Sequence, residues 1–322
     1  LGTLAVAEDW TLGAEFRFNR HRPHKSEQGR GKPGGLDLDF QAGEMSAIRV
    51  FPGRTTMTPD DPLAFVGFPP FPEFRPADPE TPVFVSVVFK WLRERAERIA
   101  ESWRMYYRDV RLGGPAYGDL GQEFTPGMFL KRGCTITSRG CVMHCGWCPE
   151  RFNPLREIEI KPGWIVQDSN LLACSERHVR KVFDMLREQN RAITFSGGLD
   201  KRFLRDWHRP LFDSIKLHEL WFACDQTNEL PLLERAAKIL DGIPMKKLRC
   251  YTMIGWDPAE DLRTAEWRQE RVFELGFIPF CQLYQPDEGV KIYPEEWRNV
   301  SRRWKRPAAM PWSDKTGVPK SL

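Results

Sequence analysis

Apolar positions recur along this chain with two different periods. From residue 134 onward, short runs dense in β-branched, aromatic and aliphatic residues alternate with longer stretches where apolar residues return every three or four positions. The short runs predict six strands, over 135–137, 164–167, 192–195, 217–223, 248–254 and 277–283. The longer stretches predict helices over 176–189, 229–240 and 259–275, with a less regular link over 201–215. Strands separated by helical crossovers pair in parallel with the helices outside, because a tight hairpin joins only antiparallel neighbours. Six strands are too few to close an eight-stranded barrel, so the expected fold is α/β with an open, partial barrel.

Upstream the pattern changes. Residues 47–51 and 83–89 read as strands, 92–107 as an amphipathic helix, and 110–112 as a strand ending in Gly113-Gly114-Pro115. The last three elements make one βαβ unit. The stretch 59–82, dense in Pro and Phe as in Phe68-Pro69-Pro70-Phe71-Pro72, suits a wrapped loop, since proline has no N–H to give a helix or sheet. Residues 1–44 run through Arg20-His21-Arg22-Pro23-His24-Lys25 and a Gly-rich stretch, and are expected to be a disordered extension, with Met45 an alternative start. The expected organisation is thus the extension over 1–44, a shortened Rossmann-like βαβ unit over 45–129, the partial barrel over 130–290, and a C-terminal helix and basic tail over 291–322.

Composition narrows the class without naming a partner. Hydrophobic residues make up 41% and charged residues 29%, and a net charge of +4 is too small to announce a nucleic-acid binder. No stretch approaches the about 20 apolar residues of a membrane helix, and the N-terminus lacks a signal-peptide core, so a cytoplasmic location without membrane contact is expected.

The eight cysteines matter more for their spacing than for their number. Cys141, Cys145 and Cys148 lie within eight residues, in Cys141-Val142-Met143-His144-Cys145-Gly146-Trp147-Cys148, while Cys134, Cys174, Cys224, Cys250 and Cys281 are scattered singly. Thiolates are soft ligands for iron, and an iron-sulfur cluster ordinarily takes four. Three on one short loop leave one position open. A zinc site completed by His144 or Cys134 is the alternative, although structural zinc sites usually set one close pair against a distant second pair. Unligated, three exposed thiols would be an oxidation liability.

The Cys-x3-Cys-x2-Cys spacing, with Trp147 as the aromatic residue before the last Cys, resembles the signature of the radical S-adenosylmethionine (radical SAM) enzymes. The lead-in Thr135-Ile136-Thr137-Ser138-Arg139-Gly140-Cys141 looks like the first strand and turn of members with an N-terminal cobalamin-type domain. The resemblance covers about residues 130 to 290, where the family has a partial (β/α)6 barrel. It implies a [4Fe-4S] cluster on Cys141, Cys145 and Cys148 whose open iron binds the amino and carboxylate groups of S-adenosylmethionine. It further implies one-electron cleavage of the sulfonium to a 5'-deoxyadenosyl radical that takes hydrogen from an unidentified substrate. The electron would come from a donor such as flavodoxin or ferredoxin.

Ligands of such barrels sit at the C-terminal strand ends. These are expected at Asp168-Ser169-Asn170, Ser196-Gly197-Gly198, Asp225 and Ile254-Gly255. Ser196-Gly197-Gly198-Leu199-Asp200 resembles the family's Gly-Gly-Glu element, whose backbone receives the amino group, with Leu199 in place of Glu. It falls on strand three rather than two, which leaves Asp168 as a second candidate for that contact. A tight turn is the plainer reading of the paired glycines. Tyr251-Thr252-Met253-Ile254-Gly255 resembles the element that packs on adenine, and an ordinary buried strand reads the same way. Asp225 is expected either to accept from the ribose hydroxyls or to cap the following helix. Cys224, Cys250 and Cys281 are expected to be small core residues.

Gly113-Gly114-Pro115 looks like a turn of the cobalamin-binding members. No Asp-x-His-x-x-Gly motif precedes Cys141, so no cobalamin is expected and the N-terminal unit reads as a shortened relic. Residues 295–306 predict a helix with Trp297 and Trp304 beside Arg302, Arg303, Lys305 and Arg306. Packed tryptophans on a solvated basic helix are favoured over a nucleic-acid surface. The competing function is a non-catalytic zinc- or iron-sulfur-binding module that contacts nucleic acid through this tail.

Overall fold

The runs rich in Val, Ile and Phe form strands, and among the described residues every strand pairing but one is parallel. The computed structural model describes residues 47–70, 78–119, 121, 123–286, 290–306 and 310. The extension expected over 1–44, the start at Met45 and most of the tail beyond Arg306 lie outside them.

The N-terminal sheet holds β1 (Ile48–Phe51), β2 (Ala64–Val66), β3 (Val83–Ser86) and β4 (Val110–Gly113) in the order β2-β1-β3-β4. Helix α1 (Arg93–Arg104) makes the crossover from β3 to β4. It buries Ala96, Ile99, Ala100 and Trp103 against Ile48, Val50, Val83 and Val85. The βαβ unit is there as expected, but the sheet is larger than that unit. β2 lies inside the stretch expected to be loop. Its three residues sit between Pro62 and Gly67, so proline precedes the strand, where a missing N–H breaks no ladder bond.

The second sheet begins with β5 (Cys134–Thr135). A two-stranded antiparallel ribbon follows, β6 (Ser138–Arg139) with β7 (Arg156–Glu157). Then come β8 (Ile165–Val166), β9 (Ile193–Leu199), β10 (Leu217–Ala223), β11 (Leu248–Ile254) and β12 (Ile278–Leu283). The six main strands stand in sequence order, β5-β8-β9-β10-β11-β12. Helices α2 (Glu176–Glu188), α3 (His208–Asp213), α4 (Leu230–Ile239) and α5 (Leu262–Glu274) fill the crossovers, and α6 (Glu295–Lys305) follows β12. The α/β class and the six parallel strands match expectation. The first crossover, β5 to β8, carries no α-helix and holds the cysteine loop instead.

Alternation along the strands decides which face is core. Ile193, Phe195, Leu220, Phe222, Leu248 and Cys250 pack with Val179, Val182, Phe183, Phe212 and Leu233 on the helix side. The other face gathers Trp221, Tyr251 and Phe280, with Trp221 and Tyr251 ring centroids 4.5 Å apart. Helix α6 seats Trp304 against Phe273 and Val300. On its outer side Arg302 pairs with Glu295 and Arg303 with Glu266. The tryptophans are thus packed, and two of the basic residues already hold acidic partners. No helix among the described residues is long and apolar enough to cross a membrane.

Arg49 joins the two sheets. It is fully buried on β1, pairs with Asp61, and donates to the carbonyls of Gly127 at 2.9 Å and Met128 at 3.2 Å on the segment leading to β5. Lys131 N donates to Met57 O across the same junction.

Candidate functional site

The cysteine loop is closed at its base by backbone. In the ribbon Ser138 faces Glu157 and Arg139 faces Arg156, and Cys141 N adds a bond to Asn153 O at 3.0 Å. Gly140 sits at φ 73°, and a Cβ there would run into the carbonyl oxygens of Asn153 and Pro154. Glycine alone fits both demands. Gly140→Ala is therefore expected to cost about 1–3 kcal/mol in urea unfolding. A wild-type midpoint would show that the base adapts.

Inside the loop, Cys148 N bonds Cys145 O at 3.0 Å, and Arg151 bridges the carbonyls of Gly146 and Cys148 at 2.9 and 3.0 Å. His144 Nδ1 lies 2.8 Å from Arg151 O, and since a carbonyl only accepts, Nδ1 carries the proton. Gly146 lets Trp256 close on the loop, as a Cβ would stand 2.8 Å from its ring. Trp147 meets the same indole edge-on, centroids 4.8 Å apart. The loop thus leans on the turn after β11.

All three thiols are free of disulfides and partly exposed. Cys141 Sγ accepts from Asn170 Nδ2 at 3.3 Å and Met143 N at 3.4 Å, and Cys145 Sγ accepts from Arg202 Nη2 at 3.7 Å. Burial pushes the Cys148 thiol up to about 11, with Cys145 and Cys141 acting in the same direction. Among the described residues no three His, Cys, Asp or Glu side chains converge as a metal-holding group. In donor chemistry the loop still fits an iron-sulfur cluster, with three soft thiols on one segment and N–H donors aimed at two of them. Cys134, the possible zinc partner, is buried with Sγ 3.6 Å from Met57 Sδ.

The strand ends come together beneath this loop. Asp168 is buried, and its carboxylate accepts from Thr137 N at 2.7 Å, Thr137 Oγ1 at 2.6 Å and Ser138 Oγ at 2.7 Å. Burial raises its pKa while these donors pull it back. Asp168 thus clamps the entry to the ribbon. The segment 196–198 is not a turn after β9 but a bulge within it. Phe195 pairs with Leu220 and Leu199 with Phe222, so three residues span the place of one. A Cβ on Gly197 would overlap the backbone of Gln167 and Asp168, so this glycine lets β8 and β9 close together. Gly198, at φ 108°, has open space where a Cβ would stand. Ser196 Oγ accepts from Gln167, and Ser196 O accepts from Tyr251 OH at 3.2 Å.

Asp225 follows β10 and accepts from Met253 N at 2.8 Å, so it cross-links two strand ends rather than capping α4. Burial first and Glu229 second push its carboxyl up to about 6 from the usual 3.8. Between those values the folded chain binds more protons than the unfolded one, so this group's contribution to stability falls as pH rises from 3.8 to about 6. Asp225→Asn is expected to flatten the urea-midpoint profile across that window. An unchanged slope would contradict the shift.

Ile254 is fully buried with Val300 and Trp304, so its side chain faces the helices and only its backbone is left for an adenine contact. Gly255 N donates to Glu260 at 3.1 Å, and its carbonyl accepts from Lys291 Nζ at 2.6 Å and Tyr293 OH at 3.2 Å. A Cβ at Gly255 would come within 2.5 Å of the Tyr293 ring. This turn is covered by the chain after β12.

Cys224, Cys250 and Cys281 are all buried, the first two in the main core and the third under α6. Gly114 packs against β3, where a Cβ would stand 2.9 Å from Val87 O. Sequence reasoning missed Asn170 and Arg202 as partners of the cysteines, Asp200 as the carboxylate that holds both, and Lys201 with Glu229 as a buried ion pair beside them. Their one signal was position, as polar residues within or bordering the links that follow predicted strands.

Comparison with known proteins finds no family model that matches this chain and no curated protein significantly similar to it.

Proposed function

We propose that this chain is a radical SAM enzyme whose six-stranded parallel sheet is a partial (β/α)6 barrel and which works in the cytoplasm. One observation carries the reading. Three closely spaced cysteines sit on a loop pinned by backbone, and two of their sulfurs accept from side chains that follow β8 and β9, Asn170 and Arg202. Ligands of parallel α/β sheets bind at this edge.

Cys141, Cys145 and Cys148 would hold a [4Fe-4S] cluster, with S-adenosylmethionine on the iron they leave open. When bound and reduced by a flavodoxin- or ferredoxin-type donor, the pair would supply one-electron cleavage of the sulfonium to methionine and a 5'-deoxyadenosyl radical, for removal of hydrogen from the substrate. The chain's own part is to position and to exclude water. Gly198 offers its backbone to the amino group. Asp225 Oδ1 is occupied by Met253 N, and its other oxygen would accept from the ribose hydroxyls. Trp147, held edge-on by Trp256, would flank the cluster on one side of the loop.

The test is anaerobic reconstitution with iron and sulfide, then reduction with dithionite in the presence of S-adenosylmethionine. Formation of 5'-deoxyadenosine is expected. A reduced preparation that forms none defeats the proposal, and colourless protein with one zinc and no iron favours the non-catalytic metal module.

A further inference from the structure

Beneath the cysteine loop, one connected set of polar side chains has no role in closing the loop. Asn170 is 2% exposed, and its Nδ2 lies 3.3 Å from Cys141 Sγ and 3.5 Å from Asp200 Oδ2. Asp200 also holds Arg202, with Nε 2.8 Å from Oδ1 and Nη2 2.7 Å from Oδ2. Arg202 Nη2 then reaches Cys145 Sγ at 3.7 Å. A carboxylate at the end of β9 therefore fixes two N–H donors from two different strand ends, one on each of two cysteine sulfurs.

The Asn170 amide is oriented at a cost. Its Oδ1 is buried with no hydrogen-bond partner. Flipping the amide would set that oxygen against the Asp200 carboxylate, so Nδ2 faces Cys141 and Asp200. A neutral thiol is too weak an acceptor to offset a buried, unsatisfied carbonyl, whereas a coordinated thiolate is a strong one.

We propose that Asn170 and Arg202 are positioning residues that donate to the coordinated Cys141 and Cys145 thiolates and raise the reduction potential of the cluster. Asp200 holds both in place. This rests on the iron-sulfur reading above. Reduction adds negative charge to the cluster, so hydrogen bonds and a nearby guanidinium stabilise the reduced state more than the oxidised one.

The experiment uses the full chain, reconstituted anaerobically, as wild type, Asn170→Ala, Arg202→Gln and Arg202→Lys. Midpoints are read by potentiometric titration followed by electron paramagnetic resonance. Asn170→Ala and Arg202→Gln are expected at more negative potential. For Arg202→Gln the expected change is about tenfold in the oxidised-to-reduced equilibrium, about 59 mV for a one-electron couple. Arg202→Lys keeps the charge without the planar fork and is expected between wild type and Arg202→Gln. A merely structural role would lower melting temperature or iron content and leave the midpoint of the remaining cluster in place. Should Asn170→Ala lose its cluster, the Arg202 pair decides, because that side chain is 28% exposed and its replacement opens no core. A wild type that forms no iron-sulfur cluster overturns the functional reading and this inference together. A wild type that forms one, with every variant at its midpoint, overturns this inference alone.

Discussion

Alanine at Cys141, Cys145 or Cys148 is expected to leave a folded protein that retains no stable cluster and makes no 5'-deoxyadenosine. Folding survives because the loop is closed by backbone: the ribbon, the Cys141 N to Asn153 O bond and the glycine at 140 need no thiol. All three cysteines are only partly buried, so trimming them opens no large cavity. Function does not survive, because each lost thiolate is a direct ligand. The fall in product is expected to exceed the about 10–100-fold that loss of an outer partner causes at metal sites. Cys281→Ala is the control. That residue is buried under α6, far along the chain from the loop, and iron should be retained. The checks are iron and sulfide content, absorbance of the reconstituted protein, and product by mass spectrometry. Wild-type iron in all three loop variants would end the assignment.

Lys201→Met is expected to destabilise the fold by about 3–5 kcal/mol, the cost of leaving one partner of a buried ion pair uncompensated. The Lys201 side chain is 2% exposed and that of Glu229 12%, with Nζ and Oε2 3.1 Å apart. Lys201 Nζ also donates to Ala223 O at 2.6 Å, and Glu229 Oε2 accepts from Asp225 N at 2.9 Å. One pair thus ties the ends of β9 and β10 to the start of α4. Arg202 stands 4.0 Å from the other Glu229 oxygen, too far to replace the lost partner without moving from Asp200. Glu229→Gln in the same chain removes the orphaned charge and is expected to restore much of the loss. Urea unfolding of the two single variants and the double variant closes the cycle. Additive losses would mean that the two groups do not interact.

How much of this was legible in the sequence depended on how local each signal was. The six main strands announced themselves because Ile193 with Phe195, Leu220 with Phe222, and Leu248 with Cys250 bury one face against helices, a pattern carried within each run. The cysteine spacing was equally local. The ribbon was not, since Ser138–Arg139 and Arg156–Glu157 are two-residue strands that exist only by pairing across the loop. β2 was hidden by its proline-rich surroundings, although the prolines stand outside the strand itself. The glycines at 197 and 198 suggested a turn because sequence alone carries no register. Only the pairing of Phe195 and Leu199 with Leu220 and Phe222 reveals a bulge. Asn170 and Arg202 lie 29 and 57 positions from the sulfurs they touch, a distance that no spacing rule spans.

The pinned base of the cysteine loop also sets how freely this segment can change length. With its ends held side by side by two residue pairs, the loop behaves as a closed ring on an otherwise finished sheet. Lengthening such a ring is cheap, about 0.6 kcal/mol for each doubling. A single residue added within Ser138–Arg139, by contrast, would reverse the facing of the ribbon and carry the first cysteine to its opposite side.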